Sequence, residues 1–446
     1  MFENILGQDI TEQLIRDIEG STLAPSLLFA GPEASGKGSS ALELGRVLCC
    51  EAGGSWNCPC ASCASHRYLG SQDMLVLGPR PFSAEIAACR HSLSTDYAGQ
   101  APRLLFIRSI RKLLLRFSPV LWEGDAKLKK VNGLLLDINE SLEDFSRAAE
   151  EGNEGELPAL ADAVLNLAFE LEADGIGGHI PIDQIRRAAW WGRLAPGGKR
   201  KILIIENADR MQEGARNSLL KILEEPPPAL TIVLCAIREG DLLPTLRSRL
   251  RVYRFIRREK ACEEEVLRRV FRDKDGVLPG TLMDYLNAFI PPSEEELLPL
   301  AAWFAASVAA GAFAARRSQA GLSQALLALG KYASPLAEEG GLGRPSDMET
   351  VIDELIKRCG RFRVRGLFGR FLSRLLSLIS SALRDEGPEG LVFRDYALER
   401  ISDAGSAHMV YNQSPSLALE RLFVELKEGL CTGPALLSAS LGRTGG

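Results

Sequence analysis

Four cysteines lie close together in one short segment, with the spacing Cys50-x7-Cys58-x-Cys60-x2-Cys63. Four thiolates from a single segment suit a tetrahedral Zn²⁺ ion, which needs only a small loop to organise it. In a cytoplasmic protein, clustered cysteines favour a metal site over a disulfide framework. The sequence therefore predicts structural zinc bound by these four residues.

The ligand set of this segment leaves alternatives open. The Cys-x-Cys step is tighter than the common two-residue spacer, so Cys49 or His66 is an alternative for one ligand. Reduced buried thiols and a redox role are the alternatives to a metal.

A glycine-rich turn offers a second kind of chemistry. It follows the apolar run 27–30, opens a predicted helix, and runs Gly31-Pro-Glu-Ala-Ser-Gly36-Lys37-Gly38. This context is typical of a phosphate-binding loop, in which backbone N–H groups close around phosphate oxygens and Lys37 reaches the β and γ phosphates. A glycine-rich turn without a ligand is the alternative.

Two positions depart from an active nucleotide site. Where the motif requires Ser or Thr to offer Mg²⁺ a hydroxyl, the chain has Gly38, and Ser39 lies about 100° further around the helix. The apolar run 202–205 ends in Glu206 and Asn207. Glu206 can hold a metal, but the Asn207 amide has no lone pair basic enough to act as a base.

These departures predict that ATP and Mg²⁺ bind weakly or not at all and that the chain has no intrinsic ATPase activity. The candidate nucleotide-binding residues are Gly31, Gly36, Lys37, Gly38, Ser39 and Glu206.

The elements that must position these residues alternate between strands and helices. Apolar runs predict buried parallel strands with helices on both faces of the sheet, at 27–30, 74–77, 202–205 and 231–234. Residues from about 85 to 175 have helical periodicity and no ligand-type motif, which predicts a helical insertion. Beyond residue 258 the pattern is helical to the end of the sequence.

Composition limits the classes of function. The 446 residues are enough for about three domains, and 46% hydrophobic with 25% charged residues is typical of a soluble globular protein. A formal net charge of −5 excludes a chain that holds nucleic acid through an overall basic field. Any contact with DNA must therefore be local or shared with partner subunits.

The sequence predicts a cytoplasmic protein without a membrane segment. The opening residues mix acidic and apolar side chains and lack the basic and apolar regions of a secretory signal. Residues 297–315 carry no charge over about the length that spans a bilayer. They are mostly Ala and include Pro299 and Gly311, which favours a buried helix of a helical domain.

One stretch carries a resemblance to a known family. The motif NSLLKILEEPP at 217–227 is followed by a predicted strand and by LLPTLRSR at 242–249. Together these resemble the clamp-loader subunits of bacterial DNA polymerase III. The opening FENILGQD, the loop GPEASGK, the cysteine segment and residues 182–186 occur in the family's order. The resemblance covers about residues 1–80 and 180–258.

The resemblance implies an AAA+ α/β module, a small helical lid and an all-α C-terminal collar that joins five subunits into an open ring. Such rings use ATP to load the sliding clamp onto primed DNA. The expected domains are an AAA+ module at 1–255, with a zinc knuckle at about 49–66 and the helical insertion at about 85–175, a lid at 256–292 and a collar at 293–446.

The resemblance also implies an arginine finger. The family's Ser-Arg-Cys motif supplies an arginine to nucleotide on the neighbouring subunit, and the matching residues here are Ser248-Arg249-Leu250. The arginine and the serine are present, whereas the cysteine is replaced. The alternative is that Arg249 pairs with an acid at the sheet edge, because Arg247 and Arg251 flank it.

The resemblance favours a delta-prime-type stator, since Gly38 and Asn207 do not match an active motor such as gamma/tau. The implied partners are gamma/tau and delta subunits, the sliding clamp, and primer-template DNA through the assembled complex. One alternative is a gamma/tau-like motor ATPase. The other is a non-replicative zinc and nucleic-acid adaptor on an AAA+ scaffold, which the negative net charge argues against.

Overall fold

The computed structural model describes residues 1–273, 276, 280–315, 324–362, 364, 366–409 and 413–432. The chain divides into two compact units, Met1–Ile290 and Pro291–Gly446.

The first unit is built on a parallel sheet of five strands, in the order β2-β3-β4-β1-β5. The strands are β1 Ser26–Ala30, β2 Met74–Leu77, β3 Lys201–Ile205, β4 Leu230–Ala236 and β5 Arg251–Arg254. Every residue of β1 to β4 is buried, because a parallel sheet is covered on both faces and its strands are mostly apolar. The predicted α/β fold with a parallel sheet is confirmed.

Helices surround this sheet. Those of the first unit are α1 Ile10–Glu19, α2 Lys37–Cys49, α3 Ala61–Arg67, α4 Ser83–Thr95, α5 Gln100–Leu114, α6 Pro119–Trp122, α7 Ala126–Glu151, α8 Leu157–Gly175, α9 Ile182–Arg193, α10 Glu213–Glu224, α11 Pro244–Arg247, α12 Lys260–Val266 and α13 Leu282–Ala288. Helix α2 begins directly after the glycine-rich turn, where Gly36 adopts a left-handed φ of 95°. A glycine tolerates this conformation without steric cost.

Helices α4 to α8 form the helical insertion that the sequence predicts. The carboxylate of Glu172 in α8 accepts hydrogen bonds from the backbone N–H of Phe82 at 2.5 Å and of Ser83 at 2.9 Å, and from the Ser83 hydroxyl at 2.8 Å. A buried carboxylate at the start of a helix satisfies N–H groups that have no partner within the helix. The last helix of the insertion, α8, is therefore bonded to the start of its first helix, α4.

The second unit is helical over the residues that the structure describes there. Its helices are α14 Glu294–Ala315, α15 Gln324–Glu339, α16 Met348–Arg358, α17 Leu367–Ala382, α18 Gly387–Met409 and α19 Pro415–Cys431. By length and composition α14 is able to cross a membrane, but 67% of its most apolar window is buried within the protein. Its Phe304 ring makes edge contacts with Phe371 and Phe423, at centroid distances of 6.1 and 5.5 Å. This burial agrees with the core helix that its composition predicts.

Candidate functional site

The phosphate loop, residues 31–38, connects β1 to α2, as the sequence predicts. The Lys37 amine donates to the carbonyl oxygens of Gly31 and Pro32, both at 2.5 Å. Burial lowers the pKa of Lys37 below its ordinary value. The amine is thus bonded to carbonyls of its own loop, and it must leave them to reach a phosphate.

A second cation contacts the loop from outside it. Arg258 donates to the carbonyl oxygen of Ala34 and, at 2.8 Å, to that of Leu6. A Cβ added at Gly36 would lie 2.7 Å from the Arg258 guanidinium. Arg258 therefore packs directly against the glycine that turns the loop into α2.

Glu206, at the end of β3, lies beside the loop and is 6% exposed. One of its carboxylate oxygens accepts a hydrogen bond from Arg80 at 3.2 Å, and the other accepts one from Arg116. Burial alone would raise the pKa of Glu206, but the charges of the two arginines outweigh it and hold the pKa below its ordinary value. Both oxygens of the candidate metal-binding acid are therefore already bound within the chain.

Gly38 lies next to this ion pair, on the side where a side chain would point. A Cβ added at Gly38 would lie 2.3 Å from a carboxylate oxygen of Glu206 and 3.2 Å from the Arg80 guanidinium. The space that a Ser or Thr would need for its hydroxyl is filled by the carboxylate. A Mg²⁺ ion bound at this carboxylate would therefore have to displace one of the two arginines.

A small cleft lies on the outer side of the phosphate loop. Its volume is about 180 Å³, and its lining includes Pro32, Ser35, Arg258, Glu263 and Thr281. Ligand pockets usually measure about 300–1,000 Å³. The cleft is therefore smaller than a usual ligand pocket.

The sulfur atoms of Cys50, Cys58, Cys60 and Cys63 all lie within 4.8 Å of one another. The sulfur of Cys50 is 3.6 Å from that of Cys58 and 4.0 Å from that of Cys60. Four thiolates arranged tetrahedrally at about 2.3 Å from one Zn²⁺ would be about 3.8 Å apart. This cysteine cluster can therefore hold a metal ion of that size.

Hydrogen-bond donors surround the cysteine cluster and would stabilise negative charge on its sulfur atoms. The buried Arg46 donates to the sulfur of Cys63 at 3.0 Å, and backbone N–H groups of Ala52 and Cys63 donate to Cys50 and Cys60 at 3.3 and 3.4 Å. Hydrogen bonds from backbone N–H groups lower the pKa of Cys60 to about 6, whereas burial raises the pKa of Cys63 to about 12. Such outer donors orient the ligands and stabilise thiolates.

The two alternative ligands lie outside the cluster. The Cys49 thiol donates to the carbonyl oxygen of Arg200 at 3.1 Å, and Nδ1 of His66 is 2.9 Å from the carbonyl oxygen of Ser62. Neither joins the four sulfur atoms that approach one another, so the geometry favours the four cysteines as the ligand set.

Arg249 follows α11 on the surface, and about one third of its side chain is exposed. Its guanidinium donates to the Glu224 carboxylate and to the carbonyl oxygen of Thr245, both at 2.8 Å. The hydroxyl of Ser248 donates to the same carbonyl at 3.1 Å. Arg249 does pair with an acid, and that acid lies at the end of α10 within the NSLLKILEEPP motif.

Three arginines of these sites, Arg80, Arg116 and Arg258, lie outside the sequence motifs. Arg80 follows β2, next to β3 in the sheet, so its proximity to Glu206 was accessible from the topology of a parallel sheet. Arg116 comes from the turn Leu115–Phe117 after α5, in a segment without any recognisable motif. Arg258 follows β5 and likewise belongs to no motif used above.

Comparisons with known proteins show similarity over limited stretches of the chain. Residues 138–259 match the model of a family described as DNA polymerase III, delta subunit. The DNA polymerase III subunit delta' of Pseudomonas aeruginosa is 37% identical over 82 residues, which is 18% of this chain and 25% of that protein. Over part of its length, the chain is similar to subunits of bacterial DNA polymerase III.

The similarity extends to a second type of DNA polymerase III subunit, gamma/tau. The gamma/tau subunit of Mycobacterium tuberculosis is 34% identical over 86 residues, which is 19% of this chain and 14% of that protein. The matches thus span a quarter or less of the curated relatives' length. The family-model match contains Glu206 and Arg249, whereas the phosphate loop and the cysteine cluster precede it.

Among solved structures, a DNA polymerase III gamma subunit-related protein from Thermotoga maritima is 19% identical to this chain. The alignment covers 57% of this chain and 81% of that chain, with a TM-score of 0.27.

Proposed function

We propose that the chain is a delta-prime-type stator of a DNA polymerase III clamp loader. In this role it helps to load the sliding clamp onto primed DNA without hydrolysing ATP itself. The observation that carries the proposal is the pairing of Glu206 with both Arg80 and Arg116. An acid that holds Mg²⁺ needs free carboxylate oxygens, and these two are occupied.

The other features of the phosphate loop support the same role. Gly38 offers no hydroxyl to a metal, and Lys37 is bonded to carbonyls of the loop. Phosphoryl transfer depends on the metal, the lysine and a residue that positions the attacking water. Nucleotide binding is therefore weak or absent, and the chain contributes to the ring through its surface.

The surface contribution is an arginine finger acting in trans. Arg249 lies outside the nucleotide region of its own chain, exposed and next to Ser248, and would act on ATP held by a neighbouring motor subunit. A guanidinium suits this task because it is always charged and its planar donors span phosphoryl oxygens. Fingers of this kind accelerate phosphoryl transfer about 10³- to 10⁵-fold.

The remaining components follow from the same assignment. Zn²⁺ is the structural ion of the cysteine cluster, which holds no open coordination position for catalysis if all four thiolates bind. The partners are the gamma/tau and delta subunits, the sliding clamp, and primer-template DNA through the assembled complex. Such a complex works in the cytoplasm.

The first test is steady-state phosphate release by the isolated chain with ATP and Mg²⁺. We expect no release above that of a Lys37→Ala variant. Turnover that Lys37→Ala abolishes would contradict the stator assignment.

The second test is a reconstituted loader containing Arg249→Ala. We expect normal assembly but a fall in clamp-dependent ATPase and in clamp loading. The matched control is Arg254→Ala, which removes another exposed arginine paired with an acid, Glu239, at 2.9 Å. Equal rates in the two variants would contradict the trans role.

A gamma/tau-like motor ATPase is the second candidate. The identity of 34% with the gamma/tau subunit and the presence of Lys37 favour it. It predicts ATP turnover by the isolated chain, so the first test separates the two candidates.

A further inference from the structure

The helical insertion contributes one side chain, Arg116, to the region around the phosphate loop and Glu206. Arg116 lies in the turn Leu115–Phe117, directly after α5, and is 4% exposed. It is 90 residues from Glu206 in sequence, yet it forms a buried ion pair with that carboxylate. The insertion thus contacts the end of β3 through this ion pair.

Packing fixes the position of Arg116. Its guanidinium lies over the ring of Phe82, 5.1 Å from the centroid, and its carbonyl oxygen accepts a hydrogen bond from the Trp122 indole at 2.6 Å. Arg80 lies over the same Phe82 ring, also at 5.1 Å. An aromatic ring stabilises cations at this distance. Phe82 is the residue directly before α4, so the ring that supports Arg116 lies at the point where the insertion begins.

Within the part of the chain that the structure describes, the guanidinium of Arg116 is buried with two of its donor atoms unpaired. Its Nε and Nη1 atoms are buried, and they have no hydrogen-bond partner among the residues that the structure describes. Burying donors without partners costs free energy, and burying a charge costs more unless it is paired. The chain accepts this cost at Arg116, where the Glu206 carboxylate provides the compensating charge.

A divalent cation has no place beside these groups. Mg²⁺ binds carboxylate oxygens in a nearly octahedral shell and keeps several of its waters. Both oxygens of Glu206 are bound to arginines, and the two guanidinium charges repel a third cation. Room for a water shell is also missing on the loop side, where Gly38 faces a Glu206 oxygen.

We propose that the helical insertion closes the phosphate loop to Mg²⁺-bound nucleotide by placing Arg116 beside Glu206. Arg116 and Arg80 together take the position of the divalent cation, and the absent side chain at Gly38 accommodates the paired carboxylate. This inference deepens the proposed stator function and rests on it. The role of the insertion is then to prevent Mg²⁺-bound nucleotide from binding at the phosphate loop.

The test replaces both arginines, as Arg80→Gln/Arg116→Gln, and measures binding of Mn²⁺ alone by the loss of the free-ion electron paramagnetic resonance signal. The same proteins are titrated calorimetrically with ATP and Mg²⁺. We expect the double variant to bind Mn²⁺ at least about tenfold more tightly than the unmodified chain. Adding Glu206→Gln to the double variant should remove that gain, since a carboxylate is the ligand.

The matched control is Arg90→Gln, which removes an ion pair with Asp162 inside the same insertion, at 2.8 Å. We expect it to leave Mn²⁺ binding unchanged. The proposal is overturned if the folded double variant shows no gain. It is also overturned if the unmodified chain already binds Mn²⁺ or Mg²⁺-ATP in a way that Glu206→Gln abolishes.

A variant that leaves the buried arginines intact keeps the proposal testable if the double variant does not fold. Gly38→Ser should lower the melting temperature by several degrees and confer no binding of Mg²⁺-ATP, because the new side chain meets the paired carboxylate. Binding of Mg²⁺-ATP by Gly38→Ser at unchanged stability would overturn the proposal.

Assembly with gamma/tau and delta subunits is measured separately on the unmodified chain. Failure to assemble would contradict the stator function, whereas the Mn²⁺ titrations alone decide whether Arg80 and Arg116 exclude the cation.

Discussion

The cysteine cluster and the phosphate loop are both places where charge is concentrated, yet they balance it in opposite ways. The cluster brings four sulfur atoms within 4.8 Å of one another and has one buried arginine, Arg46, bonded to one of them. At the phosphate loop a single carboxylate, Glu206, has two arginines. Once its thiols ionise, the cluster has more negative charge than Arg46 can balance, since Arg46 is also paired with Glu43, whereas the carboxylate at the phosphate loop already has its cations.

This difference separates a site that can hold a metal ion from one whose acid is already paired with two arginines. Thiolates packed together repel one another unless a cation lies between them, so the cluster gains stability from Zn²⁺. A carboxylate already paired with two guanidinium groups gains nothing from Mg²⁺ and would have to lose a partner to bind it. Both sites belong to the first unit, and neither behaviour follows from a count of ligand-type residues alone.

The largest effect should come from removing a ligand of the cluster. We expect the protein purified without added zinc to contain about one equivalent, and Cys63→Ala to lose it. Structural Zn²⁺ contributes about 10–16 kcal/mol in small zinc-binding peptides, so a loss of more than about 5 kcal/mol is expected here. Elemental analysis and thermal unfolding measure the two outcomes.

The neighbouring cysteine supplies the control for this prediction. Cys49→Ser removes a thiol of the same segment that lies outside the cluster and bonds to the Arg200 carbonyl. It should retain one equivalent of zinc. A folded, metal-free preparation of the unmodified chain would show that the cluster is a group of reduced buried thiols.

The next effect should come from Glu206→Gln, the change that breaks the balance at the phosphate loop. Removing the acid leaves the buried Arg116 without its compensating charge, and breaking a buried pair in this way costs about 3–5 kcal/mol. Denaturant unfolding measures the loss. Glu12→Gln, which removes an exposed pair with Arg16 at 3.7 Å, should change the stability by less than about 1 kcal/mol. If both variants lose similar amounts of free energy of unfolding, the buried pair stabilises the protein no more than an exposed pair does.

Acid should weaken the region around the phosphate loop through Glu85. This carboxylate is bonded to Arg80 at 2.6 Å and to Lys112. Burial alone would raise its pKa, but the charges of Lys112 and Arg80 outweigh burial and lower the pKa to about 2. Because the folded pKa lies below the ordinary 4.5, the stabilisation is complete above about pH 4.5 and is lost as the pH falls toward 2.

The size of this acid effect is up to about 3 kcal/mol, from a pKa difference of about 2.5. Urea unfolding of the unmodified chain and of Glu85→Gln between pH 7 and pH 3 measures it. The variant should be less stable at pH 7, and its stability should decline less on acidification. Parallel profiles would contradict the assignment to Glu85.

The sequence predicted what is local and missed what is assembled from distant segments. The runs that form β1 to β4, the loop before Lys37 and the four clustered cysteines are each encoded within a few residues. Strand β5 was not predicted because its residues are partly exposed and it lacks a continuous apolar run. The pair of Arg116 and Glu206 joins residues 90 positions apart, and no local pattern in the insertion indicates it.

The smallest stability effect should come from Arg249→Ala, and its smallness makes the functional test interpretable. The pair of Arg249 and Glu224 is 2.8 Å long and exposed, with 34% and 51% of the two side chains accessible. Exposed pairs contribute about 0–1 kcal/mol, because solvent screens the attraction and ordering two side chains costs entropy. Thermal unfolding of the isolated variant should therefore show a change of less than about 1 kcal/mol.

A finger that acts in trans predicts this small change together with a large loss of clamp-dependent ATPase in the assembled loader. A structural arginine predicts instead that the isolated chain is clearly destabilised and that loader activity falls only in proportion to the folded fraction.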